Sequence, residues 1–261
     1  MRLSAVAVLA TFFLVGCSGT GFKMPKDEYR ERIRTVGILP LLTDESSTIL
    51  HPERDAVLEL IRRHAEQKHV HLAERLRERK GYFDLRVIEL DPRQAMNGLV
   101  ASSIIRGSGA GAYRRYNFNG RTAAQLAEAN VVDGLLVVVF NGMVRTERRW
   151  DRRSASFLET EYNSILVTAA MVLPSGEIAW EYSGTPGEVF LALQYPDFDE
   201  AFHNRTDEVL VKFITVAGLN RTLAEMEKPL LGKQPALPGP YRDLFDKLAS
   251  ALSPGLLNPL R

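Results

Sequence analysis

Three histidines, His64, His69 and His71, fall within "RRHAEQKHVHLAERL". Two metal ligands on one helix face require a spacing of three or four residues. His69 and His71 point apart, and His64 lies two turns from His71. No H-E-x-x-H is present, so ordinary helix histidines are expected and no metal. "GSGAGA", residues 107–112, has the glycine content of a phosphate-cradling loop. Such a loop needs amides aimed by a following helix, usually with Lys and then Ser or Thr. Here Tyr113, Arg114 and Arg115 follow instead. The pattern is not G-x-S-x-G either, so Ser108 is no nucleophile elbow. Glu159 and Glu161 share a strand face without a partner acid, base or nucleophile. Nothing assembles a nucleophile, a base and an oxyanion donor. A non-enzymatic protein without a cofactor is the expectation.

Two groups of side chains suit contact rather than catalysis. Tyr113, Arg114, Arg115 and Tyr116, with Phe118 beyond them, follow the glycine-rich run. "RTERRWDRR" places Arg148, Arg149 and Arg152 around Trp150, flanked by Arg145 and Arg153. Tyr, Trp and Arg are over-represented in binding hot spots. Both groups are predicted on connections, as a flexible loop and a charged hairpin tip.

The chain holds one cysteine, Cys17, in "LVGCSG". Arg2 and an apolar run over residues 3–16 precede it. That run is shorter than the ~20 residues a membrane-spanning helix needs, and it has the parts of a secretory signal. Leu14, Val15, Gly16 and Cys17 resemble a bacterial lipobox. The resemblance implies cleavage before Cys17 and a diacylglycerol on its sulfur, usually with a further acyl chain on the new amino group. Such an anchor is effectively permanent, since each buried methylene adds ~0.8 kcal/mol. Ser18 in place of aspartate implies the outer membrane, facing the periplasm. With no other cysteine there is no internal disulfide, although export would permit one.

A net charge of +1, from 33 basic and 32 acidic residues, gives no nucleic-acid footprint. Apolar content of 45% is that of a globular domain with a packed core. Two "NRT" triplets, at Asn204 and Asn220, match the N-glycosylation acceptor pattern by chance.

The elements that must position these residues follow from apolar periodicity. Residues 1–16 read as a signal peptide and 17–34, polar and charged, as a lipidated tether. "TVGILPLL" predicts a strand buried on both faces. Val57, Leu60, Ile61, Ala65, Leu72 and Leu76 predict one long amphipathic helix over residues 52–81. A strand follows over 82–90, with Leu85, Val87 and Leu90 in the core, and then a short helix over 92–106. Thr122 and Gln125 have capping-box spacing for the next helix. Strands are predicted at 134–145, 156–173 and 177–184, and a helix at 209–226. Leu39, Leu60, Leu136, Val138, Leu166 and Trp180 are expected to be buried. The domain is placed at 35–228. Residues 229–261, rich in proline, are expected to form an arm or tail. The fold class is α/β, a mixed β-sheet flanked by helices in the order β-α-β-α-β-β-β-α, with a parallel part built by crossovers and an antiparallel meander.

"RTVGILPLL", "YFDLRVIE", "LAEANVVDGLLVVVFNGMV" and "PSGEIAWEYSG" occur in an order similar to the periplasmic lipoprotein superfamily of CsgG, LpoB and the amino-terminal domain of TolB. The resemblance spans residues 34–226. Val132, Asp133 and Gly134 stand at the family's "aD" position, and residues 175–180 at its "Gevlw" position. It implies a CsgG/LpoB-like fold, with Asp133 as a turn or cap residue. It also implies accessory work in the cell envelope through a protein partner, with homo-oligomerisation possible for the fold. A secretion-channel subunit is the alternative, and an envelope hydrolase a more distant one.

Overall fold

The run "GLLVVVFNGMV" becomes the middle of the main sheet, as its unbroken apolar content requires. The computed structural model describes residues 21–150, 157–195, 211–226 and 237–252. Cys17, Arg152 and the signal segment lie outside them. The elements are β1 (Gly21–Phe22), α1 (Lys26–Arg32), β2 (Thr35–Ile38), β3 (Leu42–Asp44), α2 (Arg54–Ala65), α3 (Lys68–Glu78), β4 (Asp84–Val87), α4 (Pro92–Leu99), β5 (Val100–Arg106), β6 (Tyr113–Phe118), α5 (Gly120–Asn130), β7 (Gly134–Trp150), β8 (Phe157–Val172), β9 (Ile178–Tyr182), β10 (Leu191–Ala192), α6 (Val216–Ala224) and α7 (Gly239–Leu252).

The main sheet runs β1-β9-β8-β7-β2-β4, with β3 added to β7 and β10 to β8. β2 is parallel to both β4 and β7, whereas β7, β8 and β9 form an antiparallel meander. The chain is thus a mixed sheet flanked by helices. Strand alternation divides the core in two. Leu136, Val138 and Phe140 face α1, α2, α3, α6 and α7, while Leu135, Val137 and Val139 face α4, α5 and the β5–β6 hairpin. The six residues expected in the core are all buried. Each large apolar side chain so placed contributes ~1.5–3 kcal/mol relative to exposure.

Several expectations are corrected. The long helix is two, because Gln67 adopts left-handed backbone with φ 55° and Glu66 is extended. One straight helix over 54–78 would run ~38 Å, well past the four-residue strands it covers. The break lets Leu60, Ile61, Leu72 and Leu76 lie on one sheet face. Of the expected core of β4, Leu85 is buried but Val87 and Leu90 are only half-buried, and Ile88 takes the inward position. The helix over 92–106 ends at Leu99, and residues 100–106 form β5 instead. α5 is capped by Asn119, whose side chain accepts from the amides of Arg121 and Thr122, rather than by Thr122.

Both ends of the fold extend past the expected domain. Within the supposed tether, β1 pairs with β9 and α1 buries Tyr29. The polar look of 17–34 arises because α1 turns only Tyr29, with Ile33 behind it, inward. Within the supposed arm, α7 buries Tyr241, Leu244, Phe245, Leu248, Ala249 and Leu252. Its proline, Pro240, sits in the first turn, where a missing amide costs nothing. α6 begins at Val216, with Thr215 capping the Gly218 amide, later than the predicted start.

Candidate functional site

β7 continues past its predicted end to Trp150 and pairs with β8 in unbroken register from Leu135↔Val172 to Trp150↔Phe157. Beyond Arg145 and Tyr162 the two strands pair, among the described residues, only with each other. The last five residues of β7 carry this ribbon ~17 Å further. Alternation gives it two unlike faces. On one, Arg145, Glu147 and Arg149 form a chain. Glu147 accepts from Arg145 on one oxygen (2.8 Å) and from Arg149 on the other (2.9 Å). The Arg149 guanidinium lies 3.6 Å from the centre of the Tyr162 ring. On the other face Arg148 bonds Glu159 at 2.7 Å and covers Phe157, whose ring meets Trp150 edge to face at 5.4 Å. Trp150 remains 53% exposed.

Of the residues expected in this contact group, Arg148 and Trp150 stand on the open face and Arg149 on the opposite one. Arg152 lies outside the described residues. The strand reaches Trp150, so the group sits on hydrogen-bonded backbone rather than on a loose connection.

The other expected group is not a flexible loop. Tyr113, Arg114, Arg115, Tyr116 and Phe118 belong to β6, which pairs antiparallel with β5 as a two-stranded sheet. Every second residue faces the main sheet. Tyr116 is therefore 1% exposed, and its hydroxyl donates to Asp44 Oδ2 over 2.8 Å. Burial, with the Asp44 charge beside it, pushes the Tyr116 phenol well above its ordinary pKa, so it stays a donor. Arg114 is mostly buried, with Nε 3.7 Å from the same carboxylate. The Thr168 hydroxyl donates to the Arg114 carbonyl over 2.7 Å. Tyr116 and Arg114 thus fasten the hairpin to the sheet and are not an open contact surface.

Arg115 has a different neighbour. Its Nε lies 3.5 Å from Glu181, which Lys23 approaches to 3.1 Å from the other side. Glu181 is buried, with both oxygens lacking a well-directed hydrogen bond. These cations open into a cleft of about 640 Å³ between the hairpin and residues 183–186, lined also by Arg106, Tyr113 and Arg145. The glycine-rich run forms its rim. Gly107 and Gly109 have φ of 73° and 54°, which a side chain would oppose. The amides of Gly111 and Ala112 are spent on the carbonyls of Ser108 and Gly109, so the run does not present them to a phosphate as a phosphate loop does.

The histidines are dispersed. His64 contacts Asn220 at 2.8 Å, and His71 contacts Glu74 at 3.0 Å. His69 is buried with neither ring nitrogen hydrogen-bonded. Burial lowers its pKa, against the opposing charge of Glu89. Among the described residues no three His, Cys, Asp or Glu side chains are grouped as metal ligands. Asp133 acts as a cap: its Oδ2 accepts from the amides of Arg34 and Thr35 at 3.0 and 2.7 Å. Glu159 has Arg148 as its partner. Sequence reasoning missed Lys23, Arg106 and Glu181, which are far apart along the chain. The one available signal was a glutamate in the apolar strand "IAWEY".

No family model and no curated protein matches the chain. Among solved structures it is similar to one described as a neuraminyllactose-binding hemagglutinin homologue from Helicobacter pylori. That chain is 10% identical, with a TM-score of 0.39 over 84% of this chain and 86% of the other. A PelC dodecamer from Paraburkholderia phytofirmans is 13% identical, with a TM-score of 0.26 over 60% of this chain and 76% of that one.

Proposed function

We propose that this protein is an exported lipoprotein, anchored through Cys17 to the periplasmic side of the outer membrane, that works without catalysis by binding another envelope protein. The similarity of its strand motifs to the CsgG, LpoB and TolB amino-terminal superfamily supports that reading, as do the lipobox-like tetrad and Ser18. The observation that carries it is the end of the β7–β8 ribbon. Trp150 and Phe157 are both exposed large aromatics, bordered by Arg148, on a rigid antiparallel support. An exposed aromatic pair with arginine at its side has hot-spot chemistry. A photo-crosslinking residue at position 157, introduced into the mature lipoprotein in cells, tests it. A discrete crosslinked protein, lost on Trp150→Ala, is expected. Absence of any protein adduct there would remove the ribbon end as the binding surface.

The length of β7 and β8, 17 and 16 residues, favours one second reading. Strands of ~9–11 residues cross a bilayer in a barrel, so a channel subunit would have to add to the five-residue ribbon by releasing part of β7 and β8 from the core sheet. Particle mass in detergent separates the readings. A large ring supports the channel, and a monomer or small oligomer supports the accessory factor.

A further inference from the structure

The basic cleft beside the β5–β6 hairpin is not used by the contact surface proposed above. Its lining includes Lys23, Arg106, Arg115 and Arg145 and, among the described residues, no acidic side chain. The carboxylates stand behind the cations. Glu181 serves Lys23 and Arg115, and Glu147 serves Arg145 and Arg149. A third carboxylate, Glu188, touches Thr185 on the rim but is bonded to Lys247. Arg106 pairs with no carboxylate among the described residues. Positive charge therefore exceeds negative around the opening.

The cations are held, not free to drift. Arg145 has a 3% exposed side chain, and four of its five N–H groups are committed, to Glu147, the Ala110 carbonyl and the Glu188 carbonyl. Arg115 turns its buried Nε toward Glu181, while its terminal nitrogens have no hydrogen-bond acceptor among the described residues and its side chain is half-buried. Arg115, held from behind by Glu181, and the exposed Arg106 keep terminal N–H donors for an oxyanion, which accepts several such bonds at once, while the buried Arg145 adds positive charge behind them.

Position selects the ligand. Lys23 follows Cys17 by six residues, so a fully extended chain places it no more than ~20 Å from that cysteine. A lipid on Cys17 would therefore hold the cleft close to the membrane's polar layer. We infer that the cleft binds a phosphate group, and that the group is the headgroup phosphate of an anionic phospholipid in the membrane that holds the protein. The choice of source rests on the lipoprotein reading, whereas the phosphate chemistry does not.

The test uses the full-length protein and amide hydrogen exchange over residues 106–115. Three samples are compared: vesicles of phosphatidylcholine, the same vesicles with phosphatidylglycerol, and glycerol 3-phosphate in solution at matched ionic strength. Slower exchange with phosphatidylglycerol than with phosphatidylcholine is expected. Arg106→Gln and Arg115→Gln should each weaken that response ~10-fold or more, as loss of a charged hydrogen bond implies. Arg106 is exposed, so its variant should fold, and its circular dichroism verifies that. An equal response to glycerol 3-phosphate, with none added by vesicles, would overturn the lipid source and support the phosphate site. No response to either, or one that survives both substitutions, overturns the site. Acyl labelling of Cys17 is read in the same preparation. A phosphate response in unlabelled protein would discard the lipoprotein reading and the lipid source that rests on it while keeping the phosphate site, and label without any response would discard the cleft alone.

Discussion

The Tyr116 hydroxyl donates to the Asp44 carboxylate across 72 residues of sequence, joining the β5–β6 hairpin to the end of β3. Asp44 also accepts from the amide and the hydroxyl of Ser46. Tyr116→Phe removes one bond to a buried charge and should cost about 1.5–3 kcal/mol in denaturant melts. The largest rise in hydrogen exchange should fall in β5 and β6. A loss below ~0.5 kcal/mol, the range of ordinary surface substitutions, would mean that the hairpin is held by its apolar contacts alone.

Leu136 has no exposed surface and sits where β7 is flanked by β2 and β8. Leu136→Ala should destabilise by about 2–5 kcal/mol, because neighbours fixed in a sheet cannot collapse into the space. Equilibrium unfolding in urea measures this.

Trp150→Ala should change stability by less than ~1 kcal/mol, since Trp150 is more than half exposed at the ribbon end and its ring contact among the described residues is with Phe157. The proposed contact role expects capture of an envelope protein to weaken by ~2 kcal/mol or more. A drop in melting temperature as large as that of Leu136→Ala would place the tryptophan in the core and end the contact proposal.

Gly120 opens α5 directly against the turn at Ser175 and Gly176, where an added Cβ would collide with the Ser175 carbonyl. Gly120→Ala should therefore destabilise the protein, against the usual gain from Gly to Ala in a helix. Chemical melts decide the sign.

Glu188 sets an acid limit. Burial raises its pKa, but hydrogen bonds from Lys247, the Thr185 amide and Tyr182, with the Lys247 charge, outweigh it and hold the carboxyl at about 2, against an ordinary 4.5. A depressed carboxylate stabilises the fold above its unfolded pKa. That contribution is lost as pH falls from 4.5 toward about 2. His69, with its lowered pKa, begins an earlier loss as pH falls below 6.5. Urea midpoints should decline through both windows. Lys247→Met should reduce the lower step, and a midpoint independent of pH from 4.5 to 3 would exclude the Glu188 contribution.

Legibility in the sequence depended on whether a residue's partner was near or its environment uniform. Residues 134–143 of β7 and 162–172 of β8 are buried on both faces, so composition alone marks them, whereas the charged extension of β7 to Trp150 carried no such signal. The helix break at Gln67 was not legible, because left-handed backbone at a non-glycine residue is imposed by packing on short strands. The β5–β6 hairpin looked like a loop because glycines and arginines mask its alternation. Its one fully buried residue, Tyr116, needs Asp44 to explain it. α7 was hidden by the prolines around it, one of which merely starts the helix. The cleft's cations come from β5, β6, β7 and the residue after β1, and no local window contains them together.

The two-residue β1 has a mechanical consequence. Gly21 and Phe22 are paired with Glu181 and Trp180, and the Lys23 amide donates to the Ala179 carbonyl. Tension applied at Gly21 therefore arrives directly at the rim of the sheet. A few hydrogen bonds peel first, and the pull then stops at Tyr29, wedged among Phe22, Ile33 and Tyr82. A tug too weak to dislodge that ring would still part Lys23 from Glu181, so a pull on Gly21 would be felt first at the mouth of the cleft.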